Sequence, residues 1–198
     1  MLSPNRRKPA GFRAFLEFVR EDWEANERDL SRAGLHALFV HRFGVWRSQM
    51  PQPVRAILYP LYALMALFVR NVYGIEISWR TRIGRRLVLA HQSGIVVHPA
   101  AAIGDGCIIR QNVTIGAVDA RTGKAPRLGD RVEVGAGAVL IGDIDIGDGA
   151  RIGPNAFVMT NVPPGSLVVP PQSRVIPPAR LRTAMAPLED RNERVIRG

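Results

Sequence analysis

The sequence predicts a mainly β protein, a parallel β-helix of hexapeptide repeats that follows a small α-helical N-terminal region. Three observations predict it. Aliphatic residues recur every six positions from Ile77 to Val158, the next position is repeatedly glycine, and the residues before Gly74 follow helical spacing instead. The chain divides into a helical region over 1–72, the β-helix over 73–176 and a tail over 177–198.

The helical region comes first. Phe12, Phe15, Leu16, Val19 and Trp23 recur at helical spacing among Glu17, Arg20 and Glu21, which predicts a helix over 11–31. A second helix is expected from Arg32 to Trp46, and Pro51-Gln52-Pro53 then breaks the chain. The apolar run Ala56–Val69 is bounded by Arg55 and Arg70 and contains Pro60. Its 14 residues fall short of the ~20 that span a bilayer, so it is expected to pack on protein. A helix lying on a membrane surface, a peripheral contact, is the alternative.

The repeat follows. Its aliphatics are Ile77, Ile83, Leu89 and Ile95, then Val97, Ile103, Ile109 and Ile115, then Leu128, Val134, Leu140, Ile146, Ile152 and Val158. Four residues after an aliphatic stand the compact Cys107, Val113, Val132, Ala138, Ala150 and Ala156. A triangular coil explains a period of six: each side is a short strand whose aliphatic points inward, and glycine permits the corner. Three sides make an eighteen-residue turn. The register breaks twice, by two residues between Ile95 and Val97 and by a loop of about seven extra residues between Ile115 and Leu128. A stacked repeat needs covered ends, and the helical region is placed to cover one of them. Val162-Pro163-Pro164-Gly165 stops the repeat at the other, and the tail from Pro177 is expected to be extended.

Composition narrows the function. The net charge of +10 is almost wholly arginine, because Lys8 and Lys124 are the only lysines. Residues 1–74 hold 11 basic and 6 acidic side chains, and the remaining 124 residues hold 16 and 11, so each part carries +5. Nucleic-acid binding is not expected, since no segment concentrates the charge with interleaved aromatics. Excess arginine suits a polyanionic ligand. The single Cys107 excludes an internal disulfide, no Cys/His cluster calls for a metal, and no leader-like apolar segment follows the basic start, so a cytoplasmic location is expected.

Four motifs carry a family resemblance: Ile75-Glu76-Ile77, Leu89-Ala90-His91-Gln92-Ser93-Gly94-Ile95-Val96-Val97, Gln111-Asn112-Val113-Thr114-Ile115-Gly116, and Val134-Gly135-Ala136-Gly137-Ala138. Residues 73–176 resemble the serine acetyltransferase-like branch of the hexapeptide-repeat acyltransferases. The resemblance implies that the β-helix is left-handed. It also implies an O-acetyltransferase that uses acetyl-coenzyme A as co-substrate, in the route to cysteine.

Transfer to a hydroxyl needs a base, and histidine titrates in the right range. By resemblance His91 is that base, oriented by a carboxylate at Glu76. Counting eighteen residues per turn sets Glu76 below Gly94, and Gln111 over His91 once the slip is allowed for. His98, one coil below Gly116 at the root of the inserted loop, is a second candidate that faces the acceptor. Gly116, Ala136, Gly137 and Pro154 are expected to line the pantetheine path, with Arg151 and Arg174 toward the phosphates, in a groove between subunits of a homotrimer or dimer of trimers. His36 and His41 are expected to be structural.

The chain departs from the family at three places. Glu76 stands where aspartate is usual, Ala90 stands where an aspartate precedes the base, and Lys124-Ala125-Pro126 replaces an Arg-His-Pro sequence. Lys124 remains as a cation for a carboxylate. The acceptor is therefore open between serine and another small-molecule hydroxyl, such as that of a sugar or exopolysaccharide. An inactive scaffold is a third reading, opposed by the retention of His91 and Glu76.

Overall fold

The computed structural model describes residues 11–91, 93–119 and 123–173. The tail over 177–198 and Arg174 lie outside the described residues.

Four helices lead the chain: α1 (Gly11–Ala25), α2 (Ala33–Ser48), α3 (Val54–Ile57) and α4 (Tyr59–Tyr73). The first is shorter than its periodicity predicts. Glu27 and Arg28 take positive φ of 62° and 59°, which turns the chain, and Asn26 is fully buried there with its Nδ2 donating to the Asp22 and Leu87 carbonyls at 2.7 and 3.0 Å. Pro60 does not shorten the apolar run, because it sits in the first turn of α4, where its missing N–H costs no helical bond. Together α3 and α4 make a helical stretch of 20 residues, long and apolar enough to cross a membrane by length and composition.

The rest is a parallel β-helix of about four turns, with its strands in three sheets. The first sheet stacks β1 (Ile75–Ile77), β4 (Ile95–Val97), β7 (Thr114–Gly116), β10 (Val139–Ile141) and β13 (Phe157–Val158). The second stacks β2 (Arg82–Ile83), β5 (Ala102–Ile103), β8 (Arg127–Leu128) and β11 (Asp145–Ile146). The third stacks β3 (Val88–Ala90), β6 (Ile108–Arg110), β9 (Glu133–Val134), β12 (Arg151–Ile152) and β14 (Leu167–Val168). Of the six-residue aliphatics all but Ile77, which is half-buried, are buried, and so are the compact residues from Cys107 to Ala156. The interior is a column one aliphatic wide per side.

Aspartates tie the coils at the corner between the second and third sheets. Asp105 Oδ1 accepts the Arg85 N–H at 2.7 Å, Asp130 Oδ1 the Asp105 N–H at 2.8 Å and Asp148 Oδ1 the Asp130 N–H at 2.7 Å. Each carboxylate satisfies an amide that the corner has taken out of the sheet.

The two breaks in register fall in different places. Ile75 pairs with Ile95, twenty residues on, whereas Val96 pairs with Thr114, eighteen on. Ala90 pairs with Arg110 and Ile95 aligns with Val113, whose carbonyl accepts the Val96 N–H at 3.0 Å, so the two extra residues sit at the corner between Ala90 and Ile95. Ile95 and Val97 instead share β4 and both point inward. The seven-residue insertion lies between β7 and β8, where the step from Thr114 to Val139 is twenty-five residues.

The helices cover the first coil. Arg42 on α2 donates to the Ile83 carbonyl at 2.9 Å, and His41 bonds the Thr81 carbonyl through Nε2 at 3.0 Å. Gly34 permits the closest approach: a Cβ there would lie 2.7 Å from that of Leu89 and closer still to its carbonyl oxygen. His36 reaches Tyr73 Oη at 3.0 Å and the Leu30 carbonyl at 2.7 Å, so both helical histidines hold structure.

Candidate active site

Five of the expected site residues, His91, Gln111, Ala136, Gly137 and Pro154, gather along the corner between the third and first sheets, where a break in the repeat coincides with the histidine motif. His91 follows β3 directly, is exposed, and takes a left-handed φ of 54°. Ser93 has φ 120° and Gly94 has φ 64°. Backbone in this region is costly for residues with a Cβ, and it persists where the surroundings impose it. The φ of Gly94 recurs at Asn112, Gly137 and Asn155 and belongs to the ordinary corner, whereas those of His91 and Ser93 come with the two extra residues.

The same corner recurs one coil up at Gln111, then at Ala136 and Gly137, then at Pro154. Backbone bonds hold the stack: the Asn112 N–H donates to Ser93 O at 2.9 Å, Gly137 N–H to Gln111 O at 3.0 Å and Asn155 N–H to Ala136 O at 2.8 Å. Gln111 thus stands over His91, as its spacing predicts. Its Oε1 is buried without a hydrogen-bond partner among the described residues. An orphan acceptor of this kind costs about 1–3 kcal/mol, so it is a place for an incoming donor. Arg110 beside it lies one coil above Ala90, on the outward side of β6.

Glu76 is not below Gly94. It pairs in register with Val96, because the first turn has twenty residues rather than eighteen, and its exposed side chain projects from the outer face of the first sheet. Gly74, two residues earlier, abuts the histidine corner: a Cβ on it would lie 3.2 Å from Gly94 N and 3.7 Å from Ser93 Oγ. Among the described residues no hydrogen bond joins Glu76 to His91.

His98, Gly116 and Lys124 belong to the other edge of the first sheet. His98 lies opposite Gly116, and its N–H donates to Ile115 O at 2.8 Å. Its Nδ1 accepts the Ala100 N–H at 3.2 Å. An Nδ1 that accepts cannot carry the proton, so the neutral ring presents Nε2–H as a donor. Lys124 is exposed and its Nζ lies 3.1 Å from Asp143 Oδ2. Asp143 also receives Arg127 at 2.7 Å, and the Arg127 and Lys124 hydrogen bonds hold its carboxyl below the usual carboxylate range. Ala125, at the family's second-histidine position, is 3% exposed and belongs to the core. Arg151 is exposed on the outer face of β12 between Glu133 and Leu167, three residues before Pro154.

The structure therefore brings His91, Gln111, Ala136, Gly137 and Pro154 into one stacked ridge. His98, Gly116 and Lys124 fall on a second edge, with the width of one strand between. Ser93 and Arg110 join the first ridge, and residue-type reasoning does not single them out. The signal for Ser93 was the two-residue break itself. Among the described residues no group of three His, Cys, Asp or Glu side chains is placed to hold a metal ion.

Comparison with known proteins bears on the family and the fold. Residues 125–159 match the family described as bacterial transferase hexapeptide (six repeats). The chain is 38% identical over 152 residues to the serine acetyltransferase of Helicobacter pylori (strain J99), covering 76% of this chain and 84% of that protein. It is 36% identical over 137 residues to the serine acetyltransferase of Synechococcus elongatus, covering 69% of this chain and 54% of that one, so it spans about half the length of this relative. Among solved structures, soybean serine acetyltransferase complexed with serine superposes with a TM-score of 0.68 at 29% identity, over 82% of this chain and 69% of that one. A parallel β-helix of hexapeptide repeats and these relatives together identify the chain as a member of the serine acetyltransferase family.

Proposed function

We propose that this protein is an acetyl-coenzyme A-dependent O-acetyltransferase in which His91 is the general base. The observation that carries the reading is the bulged corner, which exposes His91 beneath a buried, unpartnered Gln111 Oε1. The acceptor hydroxyl gives its proton to the imidazole as its oxygen attacks the thioester carbonyl. The tetrahedral adduct then collapses, the C–S bond breaks, and the imidazolium returns the proton to the departing thiolate. Gln111 Oε1 is suited to accept from a donor on the bound acceptor, and Glu76 to hold the ring of His91 once substrate closes the site.

Two edges of one chain carry the expected residues, and this supports a site completed by a second copy. In a trimer, the His98, Gly116 and Lys124 edge of one protomer faces the His91 ridge of the next, with pantetheine passing the small Ala136 and Gly137. Arg151 and Arg174 are the cations assigned to its phosphates. The Cys107 thiol accords with a reducing cytoplasm.

Serine is the acceptor that family membership favours. A neutral hydroxyl, such as that of a sugar, is favoured by a separate observation: Ala90 and Ala125 offer no polar group, and Lys124 is already engaged by Asp143. Purified protein with acetyl-coenzyme A and a panel of serine, monosaccharides and glycans, read by free thiol, separates the two. Release with serine alone supports the first, and release with glycans alone the second. His91→Ala should lower kcat by about 100- to 10,000-fold. Unchanged turnover in that variant removes His91 from the mechanism.

A further inference from the structure

We infer that the helical stretch Val54–Tyr73 seats the protein on the surface of an anionic phospholipid bilayer. The stretch is apolar on two sides. Tyr62, Met65, Ala66, Val69 and Tyr73 face the core, which accounts for one stripe. A second stripe at the same spacing faces outward, with Ile57 71%, Leu61 50%, Leu64 66%, Phe68 50% and Val72 61% exposed. A surface helix of a soluble domain carries polar residues on that face. An apolar strip this long marks a docking surface.

Charge identifies what docks. No Asp or Glu occurs between Asp29 and Glu76; of the arginines in that interval Arg42 and Arg47 are buried and Arg32 pairs with Glu27, which leaves Arg55 and Arg70 as its exposed cations. Arg55 and Arg70 are exposed near the two ends of the stripe, ~22 Å apart along a helical rise. Their charge matches anionic lipid headgroups. Tyr59 adds an aromatic at one end, 55% exposed.

The stretch is long enough to span, but one side of it packs on the core. Val69 is 6% exposed against the core and Tyr62, Met65, Ala66 and Tyr73 pack beside it, so one stripe of the helix is held by protein and an in-plane seat is favoured. The apolar surface also continues sideways. Phe68 meets Tyr73 edge-on at 5.2 Å between ring centres, and Tyr73 meets His36, which lines a cleft of about 330 Å³ with Leu16, Leu30 and Phe39. The seat has a consequence for the site. The stretch ends at Gly74, which abuts Ser93 and Gly94 of the histidine corner, so docking brings that corner toward the lipid surface.

The inference holds whichever hydroxyl is acylated. Its test is flotation of the full chain with vesicles of phosphatidylcholine alone and of phosphatidylcholine with phosphatidylglycerol at three to one. The protein should float with the mixed vesicles, less with the neutral ones, and less again in high salt. Arg55→Glu with Arg70→Glu should weaken binding about 10- to 30-fold, at about fivefold per arginine. Leu64→Asp with Phe68→Asp should abolish flotation while circular dichroism and thiol release with a soluble acceptor stay unchanged. No flotation with mixed vesicles overturns the inference. So does flotation that the Leu64 and Phe68 changes leave intact. A wild type that stays in solution while those changes halve its mass by light scattering assigns the stripe to a second copy of the chain, and that also overturns it.

Discussion

Arg42 on α2 and Asp22 on α1 form an ion pair at 2.8 Å with each side chain 2% exposed, and the same guanidinium donates to the carbonyl of Ile83 in the first coil. One cation thus joins three elements. Burial raises the Asp22 carboxyl above its ordinary value, outweighing the lowering by the Arg42 charge. The pair is therefore costly to bury and more costly to break.

Asp22→Ala leaves that guanidinium buried without its counter-ion and should destabilise the chain by about 3–5 kcal/mol. Asp22→Ala with Arg42→Met should lose less than the sum of the single changes, since no orphan charge remains. Urea denaturation of the three variants measures both. Additive losses would show that the pair is not coupled.

Glu76 and His98 should separate in kinetics. If Glu76 holds the His91 ring, Glu76→Gln lowers kcat, by between about tenfold and the ~10,000-fold that a misplaced tautomer costs, and shifts the acid limb of the pH–rate profile. His98→Gln, by removing an Nε2–H donor from the acceptor side, should raise KM for the acceptor with a smaller loss in kcat than His91→Ala. A Glu76→Gln enzyme with an unaltered profile would leave this carboxylate outside the mechanism.

Cys107 is fully buried with its Sγ donating to Gly129 O at 3.1 Å, and burial pushes its thiol up from 9.0 to about 11. The native protein should resist a thiol reagent at pH 8 and react once unfolded. The raised value also sets a sign for stability. Between 9.0 and about 11 the unfolded chain loses the proton first, so a contribution that is full below pH 9 fades as pH rises through 11. The fall is about 2–3 kcal/mol, and Cys107→Ala, an alanine as at Ala150, should remove it from the melting curve.

Gly34→Ala should cost about 1–3 kcal/mol, because the added Cβ meets Leu89, 2.7 Å from its Cβ. Leu89 leads through Ala90 into His91, so kcat should fall as well. Denaturation and thiol release on one preparation check both effects. Stability lost with kcat intact would show that the corner is rigid without α2.

The β-helix was legible because its requirement is local. Each side needs an inward aliphatic and each corner a small residue, so Ile103-Gly104 or Ile146-Gly147 states the fold without reference to the rest of the chain. The length of the inserted loop was legible for the same reason. The position of the two-residue slip was not, because a count of aliphatics treats Ile95 and Val97 alike, while hydrogen bonding to the neighbouring coils places both in one strand and the excess at His91. The end of α1 was hidden too, since the turn at Glu27 and Arg28 depends on Asn26 reaching Leu87, sixty-one residues away.

By itself, then, the sequence determined the coil, its period, the histidine motif and the families it resembles, all of which rest on spacing along the chain. Tertiary structure alone decided that Glu76 lies beside Val96, that the His98 and Lys124 edge is separate from the His91 ridge, and that Ala125 is core. It also decided that α4 turns an apolar face outward, because which of two apolar stripes meets the core depends on what the β-helix offers beneath it.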